Sequence, residues 1–149
     1  MTPPAEEPGP DEQAVLAVNE AFYAAVESGD LDALTELWRA DAAVCVHPGA
    51  APIHGTGPVL RSWALIMANT DYIQFFLTDV EVTVTGATAV VTCTENILTA
   101  DQHVPGADFR GGLAQAMNVF TRGPEGWRLW IHQAAPVGSG HHERRSPWA

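Results

Sequence analysis

Basic residues are scarce in this chain. Seven Lys and Arg stand against eighteen Asp and Glu in 149 residues, giving a formal net charge of −11. That balance argues against general binding to nucleic acid or to an anionic membrane surface. Much of the acidity falls on helix faces and in the tail, so it reads as solvated surface. Cysteine is nearly absent as well. Cys45 and Cys93 lie far apart and in none of the metal or redox spacings. Each sits in an apolar strand pattern, where a small buried thiol is the ordinary reading, and nothing requires a disulfide. No stretch approaches the roughly eighteen apolar residues of a membrane span. The N-terminus lacks the basic start and apolar run of a secretory signal. A soluble cytoplasmic protein is expected.

Catalytic signatures are also few. There is no Gly-rich phosphate loop, no G-x-S-x-G and no internal repeat. Six histidines raise the question of a metal, but His47 and His54 are seven apart across a Pro-rich loop. No H-E-x-x-H or two-His-carboxylate spacing appears. Neither metal nor cofactor is expected.

The length and the 46% hydrophobic content suit one domain with a real core. Residues 1–10, with four prolines, read as a disordered leader, 11–135 as the domain and 136–149 as an irregular tail. From Asp11, Val15, Val18, Phe22, Ala25 and Val26 recur at helical steps, and Ser28-Gly29 ends the run. Asp30 can cap a second helix carrying Leu31, Leu34, Leu37 and Trp38. A short strand, Ala43–Val46, leads into His47-Pro48-Gly49, and after a loop Pro58 opens a third helix with Leu60, Trp63, Ile66 and Met67.

The rest is β. Ile73, Phe75 and Leu77 alternate at odd positions, but Val80, Val82 and Val84 at even ones. That change of parity predicts a bulge at Thr78-Asp79. Further strands are expected at Ala89–Thr99, about Phe109–Arg122 and Trp127–Ala134, separated by Gly86-Ala87, a polar loop at Asp101–Gly106 and the turn Gly123–Gly126. The order implies an α+β fold, three N-terminal helices packed on a strongly curved antiparallel sheet. Such a sheet closes into a cone with an open mouth, a place that small molecules favour.

G-D-L-D-A-L-T-E-L-W-R-A-D-A-A-V, then H-P-G, H-G, S-W, N-V-F-T-R and W-R-L-W-I-H-Q-A, follow one another at spacings that resemble the SnoaL-like branch of the NTF2-like superfamily. The resemblance spans most of residues 12–135 and implies the ketosteroid isomerase-like cone. That superfamily holds isomerases, polyketide cyclases, dehydratases and epoxide hydrolases beside plain binding and oligomerisation domains, so fold alone does not choose the activity.

By resemblance, His47 stands where ketosteroid isomerases carry the aspartate that moves the proton. An imidazole there is a competent general base or acid, or else a ring that only shapes the pocket. Asn118, on a row with Ala114, Ala116 and Phe120, resembles the isomerases' second oxyanion donor, or is an amide bonded to its neighbours. Phe22 falls where the isomerases place their oxyanion tyrosine, with Tyr23 about 100° further round the helix. An authentic ketosteroid isomerase mechanism is therefore not expected.

Glu95 interrupts the row Val91, Cys93, Ile97. It is either a buried acid paired with His47 or His132, or a carboxylate at an interface or in solvent. Trp38, Trp63, Trp130 and Phe76 supply aromatic walls, and Trp38 and Trp63, which flank His47, are expected to touch a ligand. His132 is expected on the same strand face as Trp130, and His54 in a loop that acts as a lid.

Two classes of function follow. One is a cofactor-free isomerase, cyclase or dehydratase working by proton transfer on a small apolar carbonyl compound, with His47, Asn118 and Glu95 as catalytic residues. Phe22, Trp38, Trp63, Phe120, Trp130 and His132 would line its substrate. The other is a non-catalytic pocket for a small hydrophobic ligand, or an oligomerisation domain. Leu113, Met117 and Val119 lie opposite Asn118 on the outer sheet face and predict a homodimer through it.

Overall fold

A computed structural model describes residues 7–100 and 109–137. The expected leader is thus described only from its seventh residue. The expected 101–106 loop and most of the tail lie outside the described residues.

Helix α1 (Pro10–Ser28) starts with Pro10 in its first turn, and Glu12 Oε2 accepts from the Gly9 N–H at 3.2 Å. It buries Val15, Asn19, Phe22, Tyr23, Ala25 and Val26, and ends at Gly29 with φ +67°. That left-handed geometry suits a residue without Cβ. Asp30 caps α2 (Leu31–Leu37), its Oδ1 accepting from the Ala33 N–H at 3.0 Å. Strand β1 (Val44–Val46) runs into the His47–Ala50 turn, and β2 (Ile53–His54) folds back on it. His54 is therefore an exposed strand residue paired with Val44, not a loop residue. Helix α3 (Thr56–Ala68) buries Val59 and Trp63. Four long strands follow: β3 (Tyr72–Thr85), β4 (Thr88–Ala100), β5 (Arg110–Gly123) and β6 (Gly126–Pro136).

All six strands form one sheet in the order β2-β1-β6-β5-β4-β3. The helices cover one face of it, as expected of the cone. One pairing departs from the expectation: β1 runs parallel to β6, so the sheet is mixed. A three-residue strand carries no sign of its direction, which here depends on how the chain returns through α3 and the later hairpins.

Two bulges aim the inward side chains. In β3, Thr78 pairs with Thr94 and Glu81 with Thr92, so two residues face Cys93 alone; Asp79 takes φ +52° there. This is the bulge that the parity change predicted. The second was not foreseen. Val119 pairs with Ile131 but Phe120 with Leu129, leaving Trp130 as the extra residue of β6. The buried positions of β6 accordingly switch from Trp127 and Leu129 to His132 and Ala134.

Candidate functional site

The concave face of the sheet is an apolar row broken by polar side chains. β4 contributes Ala89, Val91, Cys93 and then Glu95; β5 contributes Ala114, Ala116, Asn118 and Phe120; β6 contributes His132 and Ala134; all are buried. α1 lies across them and adds Asn19 and Tyr23. Burying five polar groups is tolerable only if they satisfy one another.

They do so in one connected chain. The Tyr23 hydroxyl donates to Glu95 Oε2 at 2.6 Å. Asn118 Nδ2 donates to Asn19 Oδ1 at 2.8 Å and to the Tyr23 oxygen at 3.2 Å. With both amide hydrogens so used, Asn118 Oδ1 is left to face His132 Nδ1 at 2.5 Å. That nitrogen must therefore carry the proton, and His132 Nε2 keeps the lone pair. Cys93 Sγ stands 3.7 Å from the Tyr23 oxygen.

Low polarity disfavours charge along this chain. Burial raises the Glu95 carboxyl above its ordinary value, against the hydrogen bond from Tyr23. Burial and then the neighbouring Glu95 hold the Tyr23 phenol protonated. Burial, reinforced by nearby His47, pushes His132 down to about 3. Each shift penalises the charged form, as desolvation must.

His47 sits apart, half-buried at the strand end before the Pro48-Gly49 turn. Its Nε2 is 2.9 Å from Ser62 Oγ on α3, and Cys45 Sγ lies 3.7 Å from the same nitrogen. Burial lowers its pKa, so the neutral ring is favoured. The Cys45 thiol, fully buried and pushed up to about 12, is no nucleophile. Trp63 joins the two regions: its ring lies 4.8 Å from His47 and 5.5 Å from His132. Phe22 packs on Trp63 at 5.3 Å and on His132 at 5.1 Å. Among the described residues no three His, Cys, Asp or Glu side chains gather into a metal-binding group.

The structure thus brings together His47, Trp63, Phe22, His132 and Asn118, with Glu95 at the far end of the chain and Phe120 on the same row. Glu95 faces inward, and its partner is Tyr23 rather than either histidine, because α1 crosses β4 directly above it. Trp38 is fully buried against Phe22 at 6.0 Å, and its ring contact is with Phe22 rather than His47.

Two placements need correction. Trp130 does not share a face with His132 and does not line the site. As the bulged residue it turns outward, donating from Nε1 to the Ala42 carbonyl at 3.2 Å beneath the Arg39 guanidinium. Phe76 is 54% exposed on the outer face, while its neighbour Phe75 turns inward against Tyr23.

Tyr23 is the residue that sequence reasoning passed over. Phe22 points towards Trp38, Trp63 and His132 and Tyr23 towards β4 and β5, and both are buried because the inward stripe of a core helix is more than 100° wide. The signal was present in the polar positions Asn19 and Tyr23, four apart on an otherwise apolar helix face.

Comparison with known proteins places this geometry in context. The SnoaL-like domain family matches residues 15–137. A candidate dehydratase of the NTF2-like family from Streptomyces avermitilis is 52% identical, over 87% of this chain and 97% of its own, with a TM-score of 0.78. A candidate calcium/calmodulin-dependent protein kinase type II association domain from Thiobacillus denitrificans is 27% identical, over 83% of this chain and 94% of its own, with a TM-score of 0.71. An NTF2-like superfamily protein from Salmonella enterica serovar Typhimurium shares the fold at 14% identity, over 86% and 92% of the two chains, with a TM-score of 0.76. No curated protein matches the chain. A family match over most of the chain, a relative sharing half its residues, and a helix-covered curved sheet with a polar interior all agree: this chain belongs to the SnoaL-like family and has the NTF2-like fold.

Proposed function

We propose that the protein is a small-molecule pocket enzyme that dehydrates a small, largely apolar β-hydroxy carbonyl compound without a cofactor. The observation that carries this reading is the unbroken buried chain Glu95–Tyr23–Asn118–His132, which ends beside Trp63 and the half-exposed His47. His47, neutral and half-exposed, takes the proton from the carbon next to the carbonyl. The electron pair moves into the carbonyl as an enolate and returns to form the C=C bond. The β-hydroxyl leaves as water, carrying the proton that the imidazolium gives back. His47 ends as it began, and substrate becomes an enone plus water.

Two features support the placement. Trp63 Nε1 is buried with no nitrogen or oxygen acceptor, and since the Cys45 thiol beside it is only a weak one, an oxygen on a ligand would be the better partner. The His132 end of the chain would offer the lone pair of Nε2 as an acceptor for the hydroxyl of such a substrate. The 52% identical Streptomyces avermitilis relative, named a candidate dehydratase, favours elimination over isomerisation or cyclisation.

His47→Ala tests the reading. Turnover of β-hydroxy carbonyl substrates should fall about 10²–10⁴-fold, as for loss of a general base. The melt should cost only about 1 kcal/mol, since one hydrogen bond is lost. Full turnover in this variant would refute the assignment, and a collapsed melt would make the histidine structural. Native mass spectrometry of freshly purified protein would identify any small molecule retained in the pocket.

A second reading, an association domain, is favoured by the 27% identical Thiobacillus denitrificans structure and by Leu113 and Met117, exposed on the outer sheet face. It also has the protein pair through that face, and the two readings are compatible.

A further inference from the structure

The S-W pair at Ser62-Trp63 sets a hydroxyl as well as an indole against His47. Ser62 lies on α3 with its Oγ 2.7 Å from the Val59 carbonyl and 2.9 Å from His47 Nε2. A serine hydroxyl has one proton to give. Were that proton aimed at His47, the hydroxyl oxygen and the Val59 carbonyl oxygen would face each other at 2.7 Å with nothing between them. Two oxygens so close repel unless a proton joins them, and 2.7 Å is the usual O–H···O separation. The proton therefore goes to Val59, and towards the imidazole Ser62 can only accept.

We infer that Ser62 is a positioning residue that holds His47 as the Nε2–H tautomer and so leaves Nδ1 as its basic atom. The inference rests on the role of His47 proposed above and names the atom that performs it. Among the described residues, the contact made by Nδ1 is with Cys45 Sγ at 4.0 Å, a weak partner that leaves its lone pair available. The titratable groups around the ring are Cys45 on its own strand and His132 on β6. Neither offers a charge at neutral pH, since burial keeps the thiol protonated and the second imidazole neutral. The serine on α3 is then what distinguishes the two nitrogens. α3 also carries Trp63, so one helix turn both orients the ring and walls it.

The sign of a titration tests this. A hydroxyl that accepts from Nε2–H stabilises the imidazolium more than the neutral tautomer, because a charged donor makes the stronger bond; one that donates to Nε2 stabilises only the neutral ring. Two-bond imidazole 1H–15N correlation spectra of the full 15N-labelled chain report both tautomer and midpoint, with His47 assigned through His47→Gln. The wild type should show His47 as Nε2–H. Ser62→Ala should lower its midpoint by about half a pH unit or more and blur the tautomer, as expected for one hydrogen bond. Ser62→Thr, which keeps the hydroxyl, should restore both. A wild-type ring protonated on Nδ1, or a midpoint that stays or rises in Ser62→Ala, overturns the inference. If Ser62→Ala fails to fold, the wild-type tautomer and the Ser62→Thr spectrum still decide it. These spectra need no substrate. A locked tautomer together with a His47→Ala variant of undiminished turnover would sink His47 as the base and leave the tautomer assignment standing.

Discussion

At the scale of single residues, two buried titratable groups act on stability in opposite directions. His132 falls from its ordinary 6.5 to about 3 on folding. Between those values the unfolded chain binds a proton that the folded chain refuses. Stability from this group is therefore complete above 6.5 and is lost as the pH falls, by up to about 1.4 kcal/mol per unit. Glu95 is raised from 4.5, so the folded chain holds a proton that the unfolded one gives up. Its contribution is complete below 4.5 and is lost as the pH rises through the raised value. The two oppose each other just above 4.5, and below it the histidine acts without that opposition. Glu95→Gln, which keeps an acceptor for Tyr23, should raise the melting temperature at pH 8 relative to its effect at pH 4. His132→Gln, which keeps an N–H for Asn118, should flatten the loss of stability between pH 6 and 4. Melts of the three proteins across pH 4–8 give the answer, and parallel curves would mean that neither group is as buried as the structure has it.

At the scale of elements, the bulges matter more than the strand lengths. The one in β3 restores the inward row after Leu77, so that Val82 and Val84 reach the core instead of solvent. It depends on Asp79 at φ +52°, a conformation that aspartate tolerates and a β-branched residue does not. Asp79 is exposed, so packing does not confuse the test. Asp79→Gly should leave chemical stability unchanged or slightly raised, and Asp79→Val should cost about 1–2 kcal/mol. Equal denaturation midpoints for the two variants would show that the bulge relaxes at no cost. The bulge at Trp130 has a functional consequence, because it switches the parity of β6 and turns His132 inward to Asn118. Without that extra residue His132 would face out and the polar chain would lose its end.

At the scale of the whole molecule, the helices cover one side of the sheet, and among the described residues none of them covers the other. Leu113 and Met117 are 44% and 40% exposed there, and Phe76 joins them on the same face. Large apolar side chains exposed on one sheet face mark a surface that a second copy would cover. We expect a dimer at micromolar concentration in sedimentation. Met117→Glu should shift it towards monomer by burying an unpaired carboxylate at the contact, with little change in the melt of the monomer. A wild type that sediments as a monomer would remove the argument, and an unshifted variant would move the contact elsewhere. The folded chain has no helix, among the described residues, long and apolar enough to cross a membrane.

Much of this molecule is written in local patterns. The helical hairpin, its Gly29 and Asp30 punctuation, the H-P-G turn and the β3 bulge were legible because caps, turns and strand parity act over a few residues. The same parity singled out Glu95 and Asn118 as polar residues in apolar rows. What it could not say was which groups meet. Tyr23 finds Glu95 seventy-two positions away and Asn118 ninety-five away, because α1 lies across β4 and β5. Trp130 leaves the site and His132 enters it because one residue of β6 has no partner on β5. β1 runs parallel to β6 because the chain re-enters the sheet from the far side of three hairpins. The sequence alone therefore determined the elements and the inward polar residues, since each depends on near neighbours. Only tertiary structure decided the hydrogen-bonded chain and the His132 tautomer that it imposes, since each depends on strands and helices far apart in sequence.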